Sequence, residues 1–250
     1  MQNVKNLIVG NWKMNGFLNS LEELVTIESS LSSADKNLPF EVIFCLPDTL
    51  IFAANQLNLH ILQLGAQNCC HENNGAYTGD ISAEQLKDVG ASWVIIGHSE
   101  RRLNHHETNP QIANKLAQAW ESDLNTILCI GESIDVYEKG ETLEFLTKQL
   151  EQVLSDSANI DKLTVAYEPI WSIGTGKIPT LVELDEIYNF IRSFLIEKLG
   201  KAAQNIRLLY GGSVTSKNAA NILNIKDVNG LLVGKASLQA EEFLKICKFN

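Results

Sequence analysis

Eight short runs of apolar or β-branched residues recur along the chain: NLIVGNW from Asn6, EVIFCLP from Glu41, ILQLGAQ from Ile61, SWVIIGH from Ser92, NTILCIGE from Asn125, KLTVAYEP from Lys162, IRLLYGG from Ile206 and GLLVG from Gly230. Their hydrophobicity is continuous rather than alternating, as parallel strands covered on both faces require. Between them the apolar positions switch to helical spacing, as in Leu184, Ile187, Tyr188, Ile191 and Leu195, or Leu143, Leu146, Leu150 and Leu154. Several of these segments open with start signals. Ser20 with Glu23, Ser82 with Gln85 and Thr180 with Glu183 read as capping boxes, and Asn109-Pro110 reads as an N-cap followed by proline in the first turn. Strand and helix alternating eight times over 250 residues predict an α/β fold, a closed eight-stranded parallel (β/α)8 barrel formed as one domain over 1–250. The competing architecture, a doubly wound open sheet, would usually carry a glycine-rich dinucleotide turn after its first strand, where this chain has GNWKMN.

Composition narrows the partners. With 45% hydrophobic and 20% charged residues the chain can bury a large core, which excludes disorder. A formal charge of −10 argues against a nucleic-acid backbone or an anionic membrane as the main partner, because both attract clustered Lys and Arg. The first apolar run is too short for a signal-peptide core, and no segment approaches the roughly 18 apolar residues a membrane helix needs. The five cysteines are odd in number and form no CxxC pair, which points to reduced thiols in a cytoplasmic protein and away from a metal site.

One segment does not fit an ordinary surface loop. AYEPIWSIGTGKIPT, from Ala166 to Thr180, places Ile170, Trp171 and Ile173 among prolines and glycines that prevent a regular helix or strand. An apolar loop of this kind needs something to close on. In a (β/α)8 barrel, chemistry sits at the carboxyl ends of the strands. There the chain carries Asn11 and Lys13, His98, Cys129 with Glu132, Glu168, Gly211 to Ser213, and Gly234 with Lys235. Singly, each has an ordinary explanation: a solvated lysine, a loop carboxylate, a hydrogen-bonded structural histidine, a tight YGGS turn. Their convergence on one mouth changes that. Pro169 stiffens the backbone beside Glu168, whose carboxylate would serve as a general base if the apolar loop desolvated it and raised its pKa. His98 precedes SERR, where a helical turn starting at Ser99 would aim its amides at the imidazole and keep it neutral. Lys13 supplies positive charge where negative charge develops. Backbone amides at Gly174, Ser213, Gly234 and Lys235 could surround a phosphate. GTGK is not a nucleotide P-loop, since the upstream glycine is replaced by Trp171 and neither Ser nor Thr follows Lys177.

GNWKMN, GHSERR, AYEPIWSIGTGK, YGGSV and GLLVGKASL, in this order and at this spacing, resemble the triosephosphate isomerase family over essentially the whole chain. The resemblance implies a TIM barrel, a homodimer or an assembly built from one, no metal or organic cofactor, and interconversion of dihydroxyacetone phosphate with D-glyceraldehyde 3-phosphate. Carried over by position, Glu168 is the proton-abstracting base and His98 the neutral electrophile. Asn11, Trp12 and Lys13 belong to the substrate-binding stretch, Asn11 and Lys13 as its substrate-contacting pair. Gly174, Ser213, Gly234 and Lys235 contact phosphate, and Glu100 and Cys129 support the site. The lid comprises Pro169, Ile170, Trp171, Ser172, Ile173, Gly174, Thr175, Gly176 and Lys177. QNCCHENNGAYTGDIS, from Gln67 to Ser82, corresponds to the loop that enters the neighbouring subunit, with Thr78 near the partner's Asn11 and Lys13 and Asp80 paired with Arg101 across the interface. The bland alternative for that loop is a surface excursion.

Three positions depart from the family pattern. Lys235 replaces a second glycine, Asp80 a longer glutamate, and Tyr137 an arginine expected in an ion pair near the fifth strand. Two rival functions are a Schiff-base aldolase using Lys13 or Lys235, and a phosphate-binding protein or dimeric scaffold without activity. Glu168 rather than a lysine ends the sixth strand, which argues against the first. The complete set of Asn11, Lys13, His98 and Glu168 argues against the second.

Overall fold

The continuous apolar runs form eight strands in the computed structural model, which describes residues 4–34 and 38–247. Residues 1–3, 35–37 and 248–250, also within the single-domain span, lie outside the described residues. The strands are β1 (Asn6–Asn11), β2 (Phe40–Leu46), β3 (Leu62–Ala66), β4 (Trp93–Ile96), β5 (Asn125–Ile130), β6 (Leu163–Tyr167), β7 (Arg207–Tyr210) and β8 (Gly230–Val233). Each pairs in parallel with the next in sequence, and β8 returns to β1 with Leu7 opposite Gly230, closing the barrel. Closure leaves no exposed sheet edge.

The strands are apolar on both sides because two cores flank them. Leu7, Val9, Ile43, Cys45, Trp93, Ile95, Ile127, Cys129, Ala166, Leu209 and Leu232 pack together inside the barrel. The residues between them, such as Ile8, Val42, Phe44, Val94 and Leu128, join the helices in a second, outer core. This is the two-residue period of a strand, with both faces buried. At the amino-terminal end, Arg207 on β7 reaches Glu41 on β2 at 2.7 Å and lies over the Trp93 ring, bracing the floor.

Two helix starts follow the expected caps. Ser82 and Gln85 satisfy each other's backbone N–H ahead of helix Ala83–Asp88, and Thr180 and Glu183 do so ahead of helix Leu181–Leu199. Two differ. Ser20 lies inside a 3-10 turn and accepts from Phe17 N–H, while Glu23 accepts from the amide of Ala240, at the start of helix Ala240–Cys247. That carboxylate serves a remote helix N-terminus, where the amide dipoles favour negative charge. In helix Asn109–Glu121 the cap is Thr108, paired with Gln111, and Pro110 comes one residue later than expected. Asn109 is instead engaged by Arg102 and Gln152. No helix among the described residues is long and apolar enough to cross a membrane.

Candidate active site

The inward parity of the strands selects the residues at the mouth. Counting on by two from Val9, Ala166, Leu209 and Leu232 gives Asn11, Glu168, Gly211 and Gly234, and all four line a cavity of about 390 Å³. Trp12, Lys13, His98, Ile173, Gly174, Ser213 and Lys235 line the same cavity. His98 is out of step with Trp93 and Ile95. Gly97 corrects this with a φ of 71°, a left-handed turn that glycine adopts without strain.

Glu168 and His98 are both buried, and Glu168 Oε1 lies 3.3 Å from His98 Nε2. Helix Ser99–Asn104 begins as expected, and Glu100 N–H donates to His98 Nδ1 at 3.2 Å. A backbone hydrogen occupies that side of the ring, so the imidazole proton resides on Nε2 and points to Glu168. Burial pushes the His98 pKa down, and the Glu168 carboxylate pushes it up beyond that, to a balance above the ordinary histidine value. Full protonation would nevertheless set an Nδ1 proton against the Glu100 amide hydrogen. That steric and electrostatic conflict opposes the charged form.

Glu168 departs from the expected rise toward neutrality. Burial raises its pKa, but a charged His98, and then Lys13, outweigh burial and bring it below the usual carboxylate value. With the ring neutral, His98 loses its charge attraction but keeps its hydrogen bond, and that bond followed by the Lys13 charge opposes burial. The carboxylate oxygen Oε2 is buried without a hydrogen bond.

Lys13 adopts a φ of 52°, unusual for a residue with a side chain, and three contacts hold it. Its N–H donates to Asn11 Oδ1 at 3.0 Å, its carbonyl accepts from Gln67 Nε2 at 2.9 Å, and its ammonium meets Glu100 Oε1 at 2.5 Å. Glu100 thus supplies an amide to His98 and a carboxylate to Lys13. Cys129 lies beneath, and burial followed by the Glu168 charge raises its pKa well above the usual thiol value, so it stays protonated. Trp12 turns into the outer core, edge-on to Phe44, with its indole N–H donating to Ser237 O.

The loop after β6 begins with a 3-10 turn, Ile170–Ser172, and ends through Gly174 and Gly176, both with positive φ. Trp171 donates its indole N–H to Glu132 at 3.0 Å, and Tyr137 lies against its ring, centroids 4.4 Å apart. The Tyr137 hydroxyl donates to the Glu183 carboxylate at 2.6 Å, so a charge-assisted hydrogen bond from a neutral phenol occupies the place where an ion pair is expected. Thr175 Oγ1 donates back to the Trp171 carbonyl, and the Lys177 carbonyl accepts from Ser172 Oγ. Lys235 is exposed and is not among the residues with positive φ, so its side chain adds no backbone strain.

The expected subunit-contact residues lie apart from the cavity. Thr78 is exposed, Asp80 accepts from the Cys70 thiol, and Arg101 pairs with Glu107 of its own chain. Sequence reasoning assigned nothing to Tyr210, placed Glu132 and Gly211 at the mouth without a specific role, and read Gln67 only as the start of the subunit-contact loop. The YGGS pair did carry a signal: a Cβ on Gly211 would lie 2.6 Å from Glu168 Cγ, and one on Gly212 would lie 2.2 Å from the Tyr210 oxygen. These glycines clear space for the carboxylate and the tyrosine.

The profile of the triosephosphate isomerase family matches residues 6–250. The triosephosphate isomerases of Bartonella quintana and Brucella melitensis are each 44% identical to the chain over 246 residues, covering 98% of it and 96% of the relative. A crystal structure of triosephosphate isomerase from Bartonella henselae superimposes with a TM-score of 0.91 at 41% identity, covering 98% of this chain and 99% of that one. Agreement of sequence and architecture from end to end establishes that this chain belongs to the triosephosphate isomerase family and is an isomerase.

Proposed function

We propose that the chain interconverts dihydroxyacetone phosphate and D-glyceraldehyde 3-phosphate by proton transfer through an enediolate, as one (β/α)8 domain. Glu168 takes the proton from carbon, the neutral His98 donates its Nε2 hydrogen to the substrate oxygen, and Lys13 and Asn11 stabilise the negative charge that develops there. The observation that carries this reading is the 3.3 Å separation of Glu168 Oε1 and His98 Nε2 in one cavity with Lys13. A base and a donor so close can act on adjacent atoms of one small molecule.

Amides of Gly174, Ser213, Gly234 and Lys235, on the same cavity wall, seat the phosphate. Residues 169–177 act as a lid whose closure excludes water and protects the enediolate. A positioned base contributes about 10² to 10⁴ in rate, whereas enzymes start near 10⁶. The difference falls to charge stabilisation and to closure driven by phosphate binding. This chemistry calls for neither metal nor organic cofactor. Exposed Met14, Phe17 and Tyr77 support a homodimer in which Thr78 approaches the partner's Asn11 and Lys13. Five free, buried cysteines support a cytoplasmic location.

The test is a coupled isomerisation assay on purified wild type and Glu168→Asp, which retracts the carboxylate by one methylene. Turnover is expected to fall by orders of magnitude with little change in KM. A near-normal rate in the variant would refute Glu168 as the base.

A further inference from the structure

Ser172 is fully buried at the start of the lid, and its hydroxyl touches three groups. The Lys177 carbonyl lies 2.6 Å from Oγ, the Tyr210 hydroxyl 3.2 Å and the Ser213 amide 3.2 Å. A serine hydroxyl has one hydrogen to give and two lone pairs to receive. The carbonyl can only accept, so it takes the hydrogen, and Tyr210 O–H and Ser213 N–H both donate to Oγ. Every valence of this one atom is used, and it joins the first turn of the lid, the end of the lid and the loop after β7.

The Ser213 N–H is also one of the amides assigned to the substrate phosphate. An amide has a single hydrogen, so Ser172 and the phosphate compete for it. We propose that Ser172 is a positioning residue that couples lid movement to phosphate binding by holding the Ser213 amide until phosphate takes it. The relative strengths favour the exchange. A 3.2 Å N–H···O contact to a neutral oxygen is at the long, weak end of hydrogen bonds, whereas a phosphate oxygen makes shorter, charge-assisted ones. Phosphate therefore displaces Oγ, and the turn carrying Trp171 loses its tie to the β7 loop as the site fills. The inference deepens the proposed function and rests on its phosphate seat.

The test compares wild type, Ser172→Ala and Tyr210→Phe by calorimetric titration with inorganic phosphate and by kcat and KM for isomerisation. Losing the competing bond is expected to tighten phosphate binding by Ser172→Ala about 3- to 10-fold, the factor carried by one net hydrogen bond. KM should fall in parallel. Tyr210→Phe keeps the Ser213–Ser172 bond and should bind phosphate no tighter than wild type. Unchanged or weaker binding by Ser172→Ala overturns the coupling, and so does equal tightening by Tyr210→Phe, which would indicate a lid merely loosened. Should Ser172→Ala not fold, the Ser213 amide of the wild type decides by NMR. It is expected to be protected from exchange without phosphate and to shift as phosphate is added; an unprotected amide overturns the coupling. A wild type that isomerises nothing yet binds phosphate removes the catalytic reading alone. One that binds no phosphate overturns both.

Discussion

Replacing Gly211 by alanine should disable Glu168, the proposed base, without touching it chemically. Gly211 follows β7, donates its N–H to Tyr167 O at 2.9 Å and is not among the positive-φ glycines, so its backbone accepts alanine without strain. The added methyl would lie 2.6 Å from Glu168 Cγ, 3.0 Å from Oε1 and 3.2 Å from Cδ, where ordinary contact begins at 3.4 Å. Glu168 must then retreat by most of an ångström, and its neighbours leave it few directions, since its own N–H is bound to Ile130 O and Pro169 follows. A misplacement of this size costs about 10²-fold in rate, or roughly 2.7 kcal/mol of barrier. The atoms nearest the methyl all belong to Glu168 and not to the amides proposed to seat phosphate, so KM should stay within about threefold while kcat carries the loss. Overpacking should also lower stability by about 1–3 kcal/mol, enough to read in a thermal melt but not enough to unfold the protein. Steady-state isomerisation kinetics, with a melt to confirm folding, make the measurement. A Gly211→Ala protein with kcat within threefold of wild type would show that Glu168 position does not control the rate.

Three further expectations concern departures and supports around the site. Tyr137→Phe keeps the ring against Trp171 but loses the Glu183 bond, so KM should rise by about 2- to 10-fold; Tyr137→Arg should restore it with a new dependence on salt, and an unchanged KM in the phenylalanine variant would dismiss the bridge. Lys235→Gly removes an exposed cation from the cavity rim and should raise KM up to about fivefold at low salt while sparing kcat, the range expected of an exposed charge; loss of all turnover would contradict this. Burial raises the Glu107 pKa, but the ammonium of Lys115 at 2.5 Å and the Arg101 guanidinium outweigh it and hold it below the ordinary 4.5. A carboxyl depressed on folding stabilises the protein above its unfolded pKa, and that stability is lost as pH falls through the folded value. Melting temperatures of wild type should therefore drop more steeply below pH 4.5 than those of Glu107→Gln; identical slopes would exclude Glu107 as a source of acid lability.

The sequence by itself determined the barrel and most of the mouth. Continuous apolar runs separated by helical periodicity require strands buried on both faces, and Asn11, His98 and Glu168 were legible as residues of the mouth because they follow strand ends. Ser82 with Gln85 and Thr180 with Glu183 were legible because a capping box is a local, four-residue contact. The misplaced caps show the limit. Glu23 carried the right spacing for Ser20, yet its carboxylate binds the Ala240 amide, 217 residues away.

What only the tertiary structure decided are contacts of that kind, between residues the chain brings together from afar. Trp12 lines the mouth as the stretch suggested, but its indole N–H is held by the Ser237 carbonyl, 225 residues away in sequence. Tyr137 looked like a lost ion pair and is a hydrogen-bonded bridge to Glu183 against Trp171. Ser172 was one lid residue among nine until closure of the barrel set its hydroxyl against Tyr210 and the Ser213 amide. Periodicity and caps arise from the geometry of a few neighbouring residues, so they are written along the chain. A hydrogen bond between loops depends on directions that only the packed barrel fixes to within an ångström.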